Sequence, residues 1–260
     1  MGHLHLYRLP DRKAWLLLRE LLQQGVPAAQ IAHAILNASQ AGFKRAMKDE
    51  TLNYSFWLLT RLILASNQSD FSTELKKLGI TMSNAPSFME IMAGFTEAVD
   101  TFIHVQKDTS DIGEMAQMAA VETLSKIAGS NLPDMFSSSF KDAQDALQQC
   151  ASPENFSKLS HEFFNRFTFR YMDYFLSRVI AFYVGPSKTF KSYHEHLNLR
   201  QAFQTHCWET SHIVQHFAAP WYSKNVSLDS FNQTMSQHFV TTALEQIRDE
   251  LKDRGTVYGQ

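Results

Sequence analysis

"SPENFSKLSHEFFNRFTFRYMDYFLSRVIAFYVGP", residues 152–186, decides the architecture. Ser152 is a good N-cap, Pro153 suits the first helical position and Glu154 places negative charge in the first turn, so a helix starts here. The next strong stop is Gly185-Pro186. The spacing therefore predicts one helix over about 153–183, roughly 45 Å long at 1.5 Å per residue. Phe156, Leu159, Phe163, Phe164 and Phe167 share one arc of it. Beyond Phe169 the opposite side turns apolar as well, through Met172, Leu176, Ile180 and Tyr183. A helix apolar all round is buried, so this pattern predicts a central post that begins at the surface and finishes inside.

Working outward, helical periodicity dominates and strand patterns are nearly absent. Gly25 and Gly79 end two amphipathic runs. Ser87 with Glu90, and Asp111 with Glu114, have the spacing of capping boxes. A helix over 194–218 carries a histidine-rich stretch and stops at Pro220, and a last one runs over about 227–252. No period of 30–45 residues suggests a solenoid. The expected fold is all-α: an irregular bundle of about eight to ten helices around the 153–183 helix. Residues 1–260 read as one domain, with a seam near 185–186.

Composition narrows the function classes. Of 260 residues, 44% are hydrophobic and 19% charged, with a net charge of −2, which describes a folded protein with no global attraction to nucleic acid or anionic membrane. Cys150 and Cys207 cannot build a disulfide framework and read as reduced thiols of a cytoplasmic protein. The first residues show no secretory h-region, and "FWLLTRLILA" at 56–65 is too short to span a bilayer.

The stretch "HCWETSHIVQHF", residues 206–217, is the obvious place to look for chemistry. On a continuous helix Cys207 and His212 diverge by about 140°, so they cannot share one ion. Glu209, His212 and His216 do share a stripe, and the two histidines at i and i+4 have a spacing that can bind metal, with further ligands needed from elsewhere. The glutamate of helical metalloproteases is absent from "HIVQH". His206 falls in the middle of the apolar face, where a satisfied core imidazole is the plain expectation. The stretch reads mainly as one helix face.

The central helix also carries Glu162, Arg166, Arg170 and Asp173 in a stripe. Glu162 to Arg166 and Arg170 to Asp173 are spaced to pair along the helix. Alternatively Arg166 and Arg170, with His206, hold an anionic ligand, because guanidinium suits two-pronged recognition. Residues 26–48 can be drawn as a helix-turn-helix with Lys44, Arg45 and Lys48 toward phosphates, although Asp49-Glu50 cancels part of that charge. No nucleotide-binding, hydrolase or kinase motif is present, and no cofactor is implied.

Twenty phenylalanines and ten methionines exceed ordinary core needs and suggest an interface. The sequence thus favours a non-catalytic assembly subunit that meets a protein partner or a second copy through Phe156, Phe163, Phe167, Tyr171, Trp221 and Tyr222. An enzyme or sensor with a metal or small-molecule site in the bundle stands second, and a DNA-binding regulator third.

Overall fold

The computed structural model describes residues 12–38, 40–83, 86–106, 110–134, 138–227 and 230–257. It is an all-α multi-helix bundle with no strands among those residues. In chain order the helices are α1 (Arg12–Gln24), α2 (Ala28–Ala38), α3 (Gln40–Ala46), α4 (Glu50–Ala65), α5 (Phe71–Lys77) and α6 (Phe88–Gln106). They continue with α7 (Asp111–Ile127), α8 (Phe140–Gln149), α9 (Pro153–Ile180), α10 (Tyr193–Ser211), α11 (Ile213–Asn225) and α12 (Gln233–Val257). Short 3-10 turns cover Gly129–Asn131 and Ala181–Tyr183. No described helix is long and apolar enough to cross a membrane.

α9 is the central post. Ser152 accepts from the Asn155 N–H, with Pro153 in the first turn, as the sequence indicates. The helix packs against α7, α10, α11 and α2. Its burial follows the expectation in part: Pro153, Glu154 and Lys158 are exposed at the start, and Met172, Leu176, Ile180 and Tyr183 are buried toward the end. Phe156 is sealed within the first turn, and the polar side of the first half is buried too, at Ser160, His161, Glu162 and Asn165. The far end also keeps an exposed strip, at Ser177 and Arg178. Periodicity did not show this polar burial because neighbours cover α9 on several sides, with His161 partnered from α10 and α11 and Glu162 from α7.

Much of the aromatic excess among the described residues is core. Phe56 of α4 meets Phe163 at 5.2 Å and Phe164 at 5.3 Å, and stacks on Phe239 of α12 at 5.1 Å. Phe156 packs on Tyr222 at 4.4 Å, and Tyr171 on Phe43 at 5.2 Å. Burying each such ring stabilises the fold by about 1.5–3 kcal/mol.

Two caps fix where α7 lies. Asp49 accepts from the Leu52 N–H at 2.8 Å and from Ser110 Oγ at 2.8 Å, while Ser110 Oγ accepts from the Gly113 N–H at 2.9 Å. The N-cap of α7 is thus Ser110, one residue before the Asp111 spacing suggests. A Cβ on Gly113 would lie 2.8 Å from Thr51 Cβ, so glycine is what lets α4 and α7 touch at this point. The Ser87–Glu90 capping box is present, with the Ser87 N–H donating to Glu90 at 2.9 Å and the Glu90 N–H to Ser87 Oγ at 3.3 Å.

The 194–218 helix is two helices. α10 stops at Ser211, and the chain bends at His212 before α11, which runs through Pro220 to Asn225 rather than ending at that proline. At 185–186 the chain is tied down. The Gly185 N–H donates to Phe190 O at 2.8 Å, the Phe190 N–H to Tyr183 O at 2.9 Å, and Thr189 Oγ1 to Gln23 O at 3.2 Å.

Candidate functional site

Three helices, α7, α9 and α10, converge on one cleft. Glu122 and Lys126 come from α7, Glu162, Asn165, Arg166, Phe169, Arg170 and Asp173 from α9, and Arg200, Gln204, Thr205 and Trp208 from α10. Together they line a cleft of about 430 Å³. On α9 the charged residues recur at three- and four-residue steps, which stacks them down one side. On α10 the cleft residues lie opposite the buried His206.

The charges form a chain. Glu162 is 2% exposed and accepts from Arg166 Nε at 2.7 Å and Lys126 Nζ at 2.9 Å. Glu122 bridges both arginines, receiving Arg166 Nη1 at 2.6 Å through one oxygen and Arg170 Nη2 through the other. Arg200 makes a two-pronged pair with Asp173 at 3.3 and 3.1 Å. Two cations also lie over rings, Arg200 at 5.2 Å from Phe169 and Lys126 at 5.1 Å from Trp208. Four cationic side chains face three carboxylates, so the cleft carries one excess positive charge.

Two buried polar atoms of cleft-lining residues are unmatched. Asn165 is 6% exposed, and its Oδ1 has no hydrogen-bond partner. Arg170 Nε is likewise buried and unpartnered. Enclosed polar groups are ordinarily satisfied, and leaving one without a partner costs about 1–3 kcal/mol.

Beside the cleft, His161 is pinned as a neutral imidazole. Its Nε2 lies 3.0 Å from Trp208 O, where it donates, and its Nδ1 lies 2.8 Å from Gln215 Nε2, which donates to it. Burial lowers its pKa below the usual 6.5 against the opposing pull of the Trp208 carbonyl, with His212 and Lys126 adding to the decrease and Glu162 resisting it. The ring packs at a tilt on Trp208, centroids 4.0 Å apart, and so holds α9 to the end of α10.

The sequence-derived sites fare unequally. Arg166 and Arg170 do share a cleft, but Arg170 pairs with Glu122 and not with Asp173, because α7 supplies a better-placed carboxylate. His206 does not join them. It lies on the far side of α10, its Nε2 is buried without a partner, and burial together with nearby Arg254 lowers its pKa. It is therefore not the satisfied core imidazole expected.

The polar side of α10 and α11 faces two different depressions. Thr205 lines the α7–α9–α10 cleft, whereas Glu209, His212 and His216 line a shallow groove with Trp208, Ile213, Glu250 and Arg254. The rings of His212 and His216 are 5.8 Å apart, and Glu209 accepts from Arg254 at 2.9 Å. Among the described residues no three His, Cys, Asp or Glu side chains gather in metal-binding geometry. The proposed metal set of Glu209, His212 and His216 is corrected accordingly.

The interface set is corrected too. Phe156, Phe163, Phe167 and Tyr171 are fully buried and Tyr222 is 6% exposed, so these five offer a partner no surface. Trp221 is half-buried and packs on Phe239 at 4.6 Å. The apolar groups that do face solvent include Phe182, Tyr193, Val105 and Met118. Over 26–48, apart from residue 39, which lies outside the described residues, α2 is buried against α1 and α12. Lys44 and Arg45 are exposed on the seven-residue α3.

Sequence reasoning missed Glu122, Lys126, Asn165, Arg200 and Trp208. Glu122 and Lys126 are spaced to pair with each other, and nothing local shows that both turn across to α9 instead. No protein-family model matches the chain, and no curated protein or solved structure matches it either.

Proposed function

We propose that this protein is a small-molecule-binding helical bundle whose ligand is a small polar anion held between α7, α9 and α10. The observation that carries the reading is the convergence of Arg166, Arg170, Arg200 and Lys126 on one cleft that Asn165 also lines. Guanidinium groups favour carboxylate and phosphate oxygens through paired hydrogen bonds, and an amide adds a neutral contact that fixes orientation. A helical bundle commonly places a ligand site between facing helices. A reducing, cytoplasmic setting fits the free thiols of Cys150 and Cys207, both buried.

Native mass spectrometry of the purified full chain tests this directly. The expected result is a small anion carried by the wild type and lost from the Arg166→Ala/Arg170→Ala double variant. A bare chain that small carboxylates and phosphates neither bind nor stabilise against heat contradicts the reading.

Assembly is the second reading, supported now by different residues. Phe182 is 69% and Tyr193 67% exposed, on either side of the tied 184–190 segment. An exposed apolar patch can mark a contact surface. The same spectrum reports it, since a defined oligomer that falls apart in Phe182→Ser/Tyr193→Ser supports assembly and a monomer of the wild type removes it.

A further inference from the structure

We infer that Glu122 is a built-in stand-in for the ligand, and that the ligand is a small dicarboxylate whose carboxylate displaces it from the Arg166–Arg170 pair. This rests on the cleft reading above and adds to it the chemical class of the ligand and the device that controls access.

The three carboxylates of the cleft are not equivalent. Glu162 is 2% exposed and held by Arg166 and Lys126, so it belongs to the protein interior. Asp173 is committed to Arg200 by two contacts. Glu122 is different. It is 42% exposed, it stands on the neighbouring helix, and its two oxygens are spread across two guanidinium groups. That is the contact pattern an incoming carboxylate would make, performed by a side chain with room to rotate into solvent.

Charge gives the rest. With Glu122 in place the cleft holds one excess positive charge. With Glu122 swung out, four cations face two carboxylates, and a dianion restores the balance. One ligand carboxylate takes the place of Glu122. Asn165 and Arg170, whose Oδ1 and Nε are buried without partners, are among the residues that line the cleft. Both aromatic faces in the cleft are already covered by cations, Phe169 by Arg200 and Trp208 by Lys126, so the ligand is polar and has no large ring to stack.

Because Glu122 competes for the same donors, removing its charge strengthens ligand binding. Isothermal titration calorimetry at low salt compares wild type, Glu122→Gln and Glu122→Gln/Arg170→Lys, with succinate and inorganic phosphate as probes. Circular dichroism checks that each variant is folded, and Glu122→Ala replaces Glu122→Gln if the amide disturbs folding. The account expects Glu122→Gln to bind succinate about tenfold or more tighter than wild type, and the added Arg170→Lys change to abolish the gain. Equal succinate binding by wild type and Glu122→Gln overturns the stand-in role and leaves the cleft reading intact. Binding of neither probe by any variant overturns both. A gain for phosphate alone overturns the dicarboxylate assignment, and a gain that survives Arg170→Lys places the ligand away from this pair.

Discussion

One face of α9 carries Phe156, Phe163, Phe164, Phe167 and Tyr171, all sealed from solvent. Another carries Arg166 and Arg170, each about a quarter exposed, beside Glu162 and Asn165. The aromatic face looks like a binding surface when only its composition is read, and the charged face looks like ordinary helix-surface pairing. The folded chain exchanges those parts. The aromatic side is consumed by α4, α11 and α12, and the charged side is where a cleft remains. Chemical conspicuousness in a sequence is a poor guide to function until one knows which side of a helix its neighbours have already used.

The comparison can be broken most easily at the aromatic face. Phe163→Ala should cost about 3–5 kcal/mol in a urea titration, since it removes a fully buried ring from the centre of the cluster. A loss below about 1 kcal/mol would mean that the ring is not core and would restore it as a contact residue.

A smaller effect is expected on the charged face. Glu162→Gln leaves Arg166 Nε and Lys126 without their shared carboxylate, but both cations reach water, at 25% and 52% exposure. The expected loss is about 1–3 kcal/mol, below the value for a fully buried pair because the stranded charges can be solvated. No change in stability would show that the network is ornamental to the fold.

His161 sharpens the contrast through pH. Its folded-state pKa is held below 6.5, so the unfolded chain binds more protons than the folded one as the pH falls below that value. Stability is therefore fully present above about pH 6.5 and declines as the pH drops toward the lowered folded pKa. His206 and His33 shift in the same direction, both by burial first. The melting temperature should fall on acidification, and His161→Asn should flatten part of that fall. An identical pH profile for the variant would show that His161 does not carry it.

The fold class was legible because helix signals are local. The Ser152-Pro153-Glu154 start, the Ser87–Glu90 box and the glycine stops at Gly25 and Gly79 depend only on nearby residues. The bend at His212 was not legible. Nothing in "ETSHIVQ" breaks a helix by propensity, and Pro220, which does look like a break, sits inside α11. The site was half legible. Arg166 and Arg170 stood out on one helix, while Glu122, Lys126 and Arg200 acquire their role only when α7 and α10 pack against it. Tertiary pairing outranked the i,i+3 choice of Arg170, which no single-helix rule could anticipate.

The most direct test of the central claim follows the arginine side chains themselves. Nuclear magnetic resonance of the Nε–Hε groups, during a succinate titration of the Glu122→Gln protein, separates the α7–α9–α10 cleft from the histidine groove. The account predicts saturable shifts for Arg166 and Arg170 with Arg254 unmoved. Shifts confined to Arg254, or no saturable shift at Arg166 and Arg170, would contradict it.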